Sequence, residues 1–506
     1  MRPYGQRSRK KVFVYELQPD WRKRLGVAHV ELRPRLEVGA GLCSNTWAAQ
    51  EFGAAELGDV RRSARLVKSA LLVAKAMGKP VTASPEHSPA EVRAYWRFIE
   101  KADQFGITPA KILAPHRQRT IERMRTQDMV LCVQDGTVIP YRTRPECGGL
   151  DVIGRNQTSA EARGVRLHAT LALNGEGLPL GVLRCAYTKK PKEAKTRTWI
   201  DGLRDIDKAA ETLPRKTKVL CVMDREADFF KLFAAQQTLK RTHVLVRAKH
   251  DRRLGTKKDS LFAAMRKGRC VAVVEMAVAR LSRRAKSGRV THKGRKARIA
   301  RMEMRYRRLT LPAPKGSAEE SLKVSAIHMR EVAPPEGAHR IEWYLLTTAE
   351  IRTAEEAQQM VEYYTLRWRV EDSFRILKSG CKIETLRMQH ATALHKAITL
   401  HMVTAWRVML MTLLGRVSSD MEAEVIFTDA ELHMMRVYAR NYGLAEHTDL
   451  VSAILMVAIM GGYMNRKHDP PPGHTIMWRG YSSLQMRAIA YEELGAIYDL
   501  VERPPP

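Results

Sequence analysis

Two segments, MVLCVQD ending at Asp135 and KVLCVMD ending at Asp224, are short apolar runs that each close in an acid. A run without polar alternation fits a strand covered on both faces, and such strands lie at the centre of an open α/β sheet. The near-repeat VLCVxD thus constrains the fold more than any other feature. It puts two carboxylates at strand ends, beyond which the loops of open sheets carry catalytic groups. Taken singly, each Asp also reads as an ordinary turn residue. Val165 to Leu173 and Leu178 to Ala186 read as further strands, joined by the turn NGEG.

The flanking segments differ in character. Residues 1–45 read as a loosely organised extension with one strand-like run, Val12 to Leu17. Residues 46–121 are mainly helical. ELGDVRRSARLVKSALLVAKAM starts at Gly58-Asp59 and sets Arg61, Arg62, Arg65 and Lys68 on its first turns, as a phosphate-contacting helix or a solvated face. The α/β region spans 122–241, and 242–348 breaks into short alternating segments. In ARMEMRYRRL, Met302, Met304 and Tyr306 alternate with Arg301, Glu303, Arg305 and Arg307, the period of a half-exposed strand. Arg280 to Arg308 is dense in Lys and Arg, with Glu303 its only acid, and suits a phosphate backbone as well as a solvated basic face. Helical character returns over 349–417 and again over 418–506, where DPPPG (Asp469 to Gly473) interrupts it.

A chain of 506 residues exceeds one simple core and predicts two to four domains. The 44% apolar content supports packed domains and argues against a disordered basic tail. With 87 Lys+Arg against 54 Asp+Glu, the formal charge of +33 calls for a polyanionic partner, nucleic acid first among them. Ribosomal and membrane-surface proteins reach the same charge, so it does not decide the matter. The cysteines (43, 132, 147, 185, 221, 270 and 381) include no CxxC pair, which argues against common zinc fingers and fits a reducing cytosol. MRPYGQRSRKK lacks a following apolar core, so a secretory signal is not expected. The longest apolar stretch, Leu450 to Met464, is short for a bilayer and predicts a buried helix.

YTLRWRVEDSFRILK, from Tyr364 to Lys378, predicts a helix. At roughly 100° per residue, Tyr364, Arg367, Glu371 and Lys378 fall within about 60° of arc, with Asp372 off that stripe. Such a stripe can hold a divalent metal through the acid and a phosphodiester through the cations and phenol. It can equally be helix support, since Glu371 and Arg375 form a well-oriented i,i+4 pair. Three converging carboxylates, Asp135, Asp224 and Glu371, could hold two divalent ions about 4 Å apart, Mg²⁺ by preference with Mn²⁺ as substitute.

The order QDGT, MDREAD and YxxRxxxExxxxxxK resembles the DDE transposases of bacterial insertion sequences that carry a YREK signature, and is most similar to the Tn-five-type cut-and-paste group. GDVRRSARLV, AYWRFI, VRAKH, EWYLLTT, YTLRWRVE and the ending GGYMNRK…W…GY…LQ resemble segments of that group in the same order, over about residues 45 to 490. The first 45 residues have no counterpart. Gly136 follows Asp135 where the similar proteins carry a hydroxyl residue, and the prolines at 470–472 are unmatched.

The resemblance implies an α/β RNase H-like core, 122–241 and 349–417, interrupted by a β insertion at 242–348. A helical DNA-binding domain (46–121) and a helical dimerisation domain (418–506) would flank it. Asp135, Asp224 and Glu371 become the metal-binding catalytic triad, and Tyr364, Arg367 and Lys378 hold phosphate. Trp343 would stack on a flipped base, worth about 1–3 kcal/mol; by its own pattern it is a strand core residue. Arg247 and Lys249 would contact DNA, Arg65 would serve end recognition, and Trp368 either contacts DNA or packs. The implied function is transposition by a homodimer on double-stranded inverted-repeat ends and target DNA, in the bacterial cytoplasm at the nucleoid, with no membrane. The competing expectations are a catalytically silent DNA-binding transposase and an RNase H-like nuclease without strand transfer.

Overall fold

The computed structural model describes residues 46–502, apart from 84–87, 142–145, 156–160, 189–191, 255–258, 279–283, 287–288, 293–296, 317–319, 418–420, 467–468 and 470. The expected Val12 to Leu17 strand and the whole 1–45 extension lie outside the described residues, as do parts of the basic Arg280 to Arg308 run.

Four helices lead into the sheet: α1 (Trp47–Phe52), α2 (Val60–Lys75), α3 (Pro89–Lys101) and α4 (Pro109–Arg125). Three of them start on polar caps. Asp59 accepts from Arg61 N, Ser88 and Glu91 form a capping box, and Thr108 accepts from Lys111 N. The Gly58-Asp59 start expected from the sequence is the observed one.

β1 (Met129–Pro140), β2 (Asp151–Arg155), β3 (Glu161–Asn174) and β4 (Pro179–Tyr187) follow, then α5 (Lys192–Glu211), β5 (Lys218–Met223), α6 (Phe230–Gln237) and β6 (Thr242–Arg247). β1 runs antiparallel to β3 and parallel to β5, β4 is antiparallel to β3, and β6 is parallel to β5. The order β4-β3-β1-β5-β6 is the RNase H-like arrangement. Asn174 closes the β3–β4 turn, its Oδ1 accepting from Glu176 N and Leu178 N.

Burial on both faces is plain in the two near-repeats. Leu131, Val133, Leu220 and Val222 point into one apolar core, while Val130, Cys132, Val219 and Cys221 point into the other. One expectation is corrected. β1 does not end at Asp135: it continues to Pro140, because its far half still pairs with β3 as far as Gly164. Only its pairing with β5 stops, after Val133↔Val222.

Most of the basic segment extends the core sheet. It contributes α7 (Leu261–Arg266), β7 (Ala272–Val278), β8 (Arg284–Lys286), β9 (Arg289–His292), β10 (Arg298–Leu311), β11 (Leu322–Glu331) and β12 (Glu342–Thr347). β8 and β9 pair with each other as a small separate ribbon. β12 pairs with β6, and β11, β10 and β7 follow outward, so the core sheet reaches ten strands among the described residues. The β6 sequence THVLVR, grouped with the insertion by the sequence reading, has the apolar run of a central strand and takes that place. β10 alternates as expected, with Met302 and Met304 fully buried.

The helical half comprises α8 (Ala354–Thr365), α9 (Trp368–Arg375), α10 (Ala391–Val417), α11 (Asp429–Asn441), α12 (Leu450–Met460) and α13 (His474–Glu502). α12 is the buried helix expected within Leu450 to Met464. The helix expected to run on to about Val417 has a longer apolar stretch than the sequence reading noted: Ala391–Leu414 in α10 is long and apolar enough to cross a membrane, yet its most apolar window is buried inside the protein. Its Lys396 side chain, fully buried, reaches Asp103 at 3.0 Å.

A buried network ties α1 to the core. Glu51 accepts from Arg123 Nη1 at 2.7 Å and is bonded to His116 Nδ1 at 2.5 Å. Val182 N donates to His116 Nε2 at 2.9 Å, so that nitrogen is bare, the ring is neutral and Nδ1 carries the proton. Burial would raise the Glu51 pKa, but His116 and Arg123 overcome it and hold it at about 2. Next to this network Gly181 has φ +155, and a Cβ there would stand 1.9 Å from Thr120 Oγ1. Glu51→Ala should therefore cost about 3–5 kcal/mol in denaturant unfolding, because it leaves Arg123 buried without its partner. The depressed acid contributes stability above its unfolded pKa and loses it as pH falls from about 4 to about 2, so the difference between the two proteins should narrow over that window.

Candidate active site

The β1–β5 register places the first two acids. Val133 faces Val222 across the parallel pair, so Asp135 and Asp224, each two residues further on, leave the paired zone side by side. Asp224 follows the last residue of β5 and caps the turn Arg225–Ala227, its Oδ1 accepting from Glu226 N at 2.8 Å. Asp135 Oδ1 accepts from its neighbour Gly136 N at 2.7 Å.

The third acid arrives on a broken helix. The sequence predicts continuous helix from Tyr364 to Lys378; instead α8 ends at Thr365, and tight turn bonds such as Arg367 N to Tyr364 O (3.1 Å) separate it from α9. Past α9 the chain widens into a π-turn, Ile376–Gly380, closed by Cys381 N to Ile376 O. The stretch is not one continuous helix, yet Arg367 and Glu371 keep the i,i+4 spacing expected of the stripe, and the contact with Asp135 is tertiary.

Arg367 is the hub. Its Nη1 donates to Asp135 Oδ2 at 3.0 Å and its Nη2 to Glu371 Oε1 at 2.7 Å, with the guanidinium nearly buried. Burial works against its charge, but Tyr364, Asp135 and Glu371 outweigh that and raise its pKa. Tyr364 is buried, which raises its phenol, and Arg367 and Arg247 bear on it from the other direction. Trp343 on β12 meets the Tyr364 ring edge-on at 5.8 Å, and the Arg247 guanidinium sits 5.4 Å from the indole centroid. Trp343 is therefore partly buried beside the site, not sealed inside a strand core. The Arg367 guanidinium also lies 5.4 Å from the Trp368 ring.

Lys378 lies within the π-turn, Ile376–Gly380. The π-turn aims its Nζ at the Val138 carbonyl, 2.7 Å away on β1, and burial lowers its pKa. Lys249 is exposed just past β6. Arg65 lies on α2 within the N-terminal helices, apart from the carboxylates' elements; its neighbour Arg62 turns inward over the Phe105 ring at 3.9 Å. The insertion is less free to meet phosphate than its composition implies. Arg298 pairs with Glu331, Arg305 with Glu303, Arg308 with Glu350 and Arg266 with Glu342, three of those acids lying outside the counted run.

The acids carry the mark of crowded negative charge. Burial raises Asp135 to about 7, and Asp224 and Glu371 push the same way against Arg367. Burial likewise raises Glu371. Among the described residues no three His, Cys, Asp or Glu side chains close on a common point as a metal cage. The donor chemistry nonetheless fits a hard divalent cation: carboxylate oxygens only, with mutual repulsion that now draws Arg367 in as counter-charge. Asp372, off the expected stripe, serves elsewhere, pairing with Arg375 at 3.1 Å and approaching His474 of α13 at 3.9 Å. The sequence reading also passed over Asp228, whose only signal was a second aspartate in MDREAD.

A mixed sheet whose parallel central strands β1 and β5 bring two acids side by side, with a helical acid held to the first through Arg367, defines an RNase H-like protein with an acidic site. A family described as Transposase DDE domain matches residues 126–406, Transposase DNA-binding matches 44–103, and Transposase Tn5 dimerisation domain matches 403–498. The first covers over half of the chain, which therefore belongs to the DDE transposases, with Tn5-type DNA-binding and dimerisation regions on either side.

An acid whose folded pKa stands above its unfolded value costs stability when it ionises, and that cost grows as pH rises from about 4 to about 7. In thermal melts with chelator present, Asp135→Asn should gain stability relative to wild type at pH 8. The gain should shrink as pH falls below about 7 and level off near pH 4. A pH-independent difference would remove the charge-crowding account.

Proposed function

We propose that the protein is a cut-and-paste transposase that binds the inverted-repeat ends of a mobile element as a homodimer, cleaves them and joins them to target DNA. The observation that carries the reading is the meeting of Asp135, Glu371 and Arg367 next to Asp224, from three distant parts of the chain. Asp135, Asp224 and Glu371 are the residues we assign to a divalent ion, Mg²⁺ with Mn²⁺ as substitute. When bound, such ions activate an attacking oxygen and stabilise a leaving oxygen.

The chain's own groups do the rest. Arg367 presents a planar fork suited to a phosphodiester. A phosphate entering the site gives the guanidinium an anionic partner in place of the carboxylates. Tyr364 and Arg247 flank that position, and Lys249 and Lys378 supply further positive charge. Trp343 offers a face on which an unstacked base can rest. The reaction order is the one the resemblance to Tn-five-type transposases implies: hydrolysis nicks one strand, the freed 3′-hydroxyl attacks the opposite strand to close a hairpin, water reopens it, and the 3′-hydroxyl attacks target DNA. No covalent protein–DNA link is needed. A DNA-bound dimer of this kind works in the bacterial cytoplasm, at the nucleoid.

Purified protein, incubated with Mg²⁺ or Mn²⁺ and DNA carrying the repeats that flank its own gene, should cut at the repeat boundary and give a hairpin. Glu371→Ala, Asp135→Ala and Asp224→Ala should each lower cleavage by at least about 10³-fold while end binding stays within a few-fold. Binding without any cutting identifies a silent DNA-binding transposase. Cutting regardless of the repeats, with no joined product, identifies a nuclease.

A further inference from the structure

Asp228 lies four residues beyond Asp224, and its side chain is fully buried although it closes a short turn at the sheet edge. Its Oδ2 accepts from two successive backbone amides, Lys249 N at 2.6 Å and His250 N at 3.1 Å. Its Oδ1 pairs with the Arg252 guanidinium, and Arg252 Nη2 donates back to the Asp228 carbonyl at 2.9 Å. One buried carboxylate thus joins the turn after β5, which carries Asp224, to the segment after β6, which carries Lys249. The Lys249 and His250 side chains themselves are exposed.

Burying an acid is unfavourable unless it is paired and hydrogen-bonded, and this one is satisfied almost wholly by the neighbouring loop. Arg252 alone would neutralise it; the two amides add a fixed geometry. On the other side, Ala248 N donates to Tyr344 O at 2.8 Å, so the chain from Arg247 to His250 is held from both flanks. An exposed lysine on such a clamped backbone keeps its starting point relative to Asp224, and the ordering loss on gripping a phosphate falls accordingly.

We propose that Asp228 is a positioning residue: it clamps the Lys249–His250 backbone to the Asp224 turn and so sets Lys249 against the DNA phosphate beside the carboxylates. This rests on the reading of the protein as a DNA-processing enzyme and on Lys249 as a phosphate contact. Asp228 touches no DNA itself, and its influence passes through Lys249.

The test is a coupling measurement on the full chain, with a labelled generic duplex and chelator present, reading affinity against salt concentration. Lys249→Ala should reduce the slope of log affinity against log salt by about 0.9, one phosphate contact. Asp228→Ala should produce a similar loss in the wild-type background and no further loss in the Lys249→Ala background. Asp228→Asn keeps one oxygen for the amides but loses the charge that holds Arg252, so it is the milder variant. Its loss should be smaller and should also vanish when Lys249 is absent. Losses that add to that of Lys249→Ala, or an unchanged slope in the Asp228 variants that fold, overturn the proposal. An unchanged slope in Lys249→Ala removes the phosphate contact and the proposal with it. Because binding is read without metal, intact coupling in a protein that cuts no DNA counts against the transposase reading alone.

Discussion

The parallel register of β1 against β5 is the constraint from which the site follows. Once Val133 faces Val222, Asp135 and Asp224 must emerge together, and two carboxylates emerging together repel. Burial sharpens that repulsion, as the raised Asp135 shows. A cation is then needed at this edge of the sheet whatever else the protein does. Arg367 meets the need from the broken segment between α8 and α9, and by binding Glu371 at the same time it brings the third acid to the first two.

The remaining architecture keeps that edge in place. The β insertion continues the core sheet beyond β6, which sets Trp343 on β12 beside Tyr364 and Arg247 without a hinge between them. The buried α10 underlies the helical half, and the Glu51–His116–Arg123 network fastens α1 to α4 and β4. Asp372 extends the connection to α13 through His474, so the segment that carries Glu371 and the dimerisation region share a contact. The DNA-binding and dimerisation regions therefore share one of the two apolar cores with the central domain.

Arg367 also gives the acidic site two conditions. Without DNA, the guanidinium neutralises Asp135 and Glu371 and stabilises a cluster that would otherwise repel itself. Under the proposed function a phosphodiester would compete for the same fork, with geometry that a guanidinium matches well.

Local pattern was enough to read the central strands, the helix start at Asp59 and the alternation of β10. Each of these depends on neighbours in sequence: apolar runs, capping residues, period-two alternation. What the pattern could not show depends on partners far along the chain. β1 runs past Asp135 because β3 is there to pair with it, and β6 joins the core because β5 lies beside it. Within Tyr364 to Lys378, Arg367 reaches a strand 232 residues away and Lys378 a carbonyl 240 residues away, contacts that no local spacing shows. Asp228 was invisible for the same reason, since its role exists only where two loops meet. Sequence by itself determined which residue types and which elements were available; tertiary structure decided which of them share one charge-balanced place, because electrostatic and hydrogen-bond partners are chosen by distance in space.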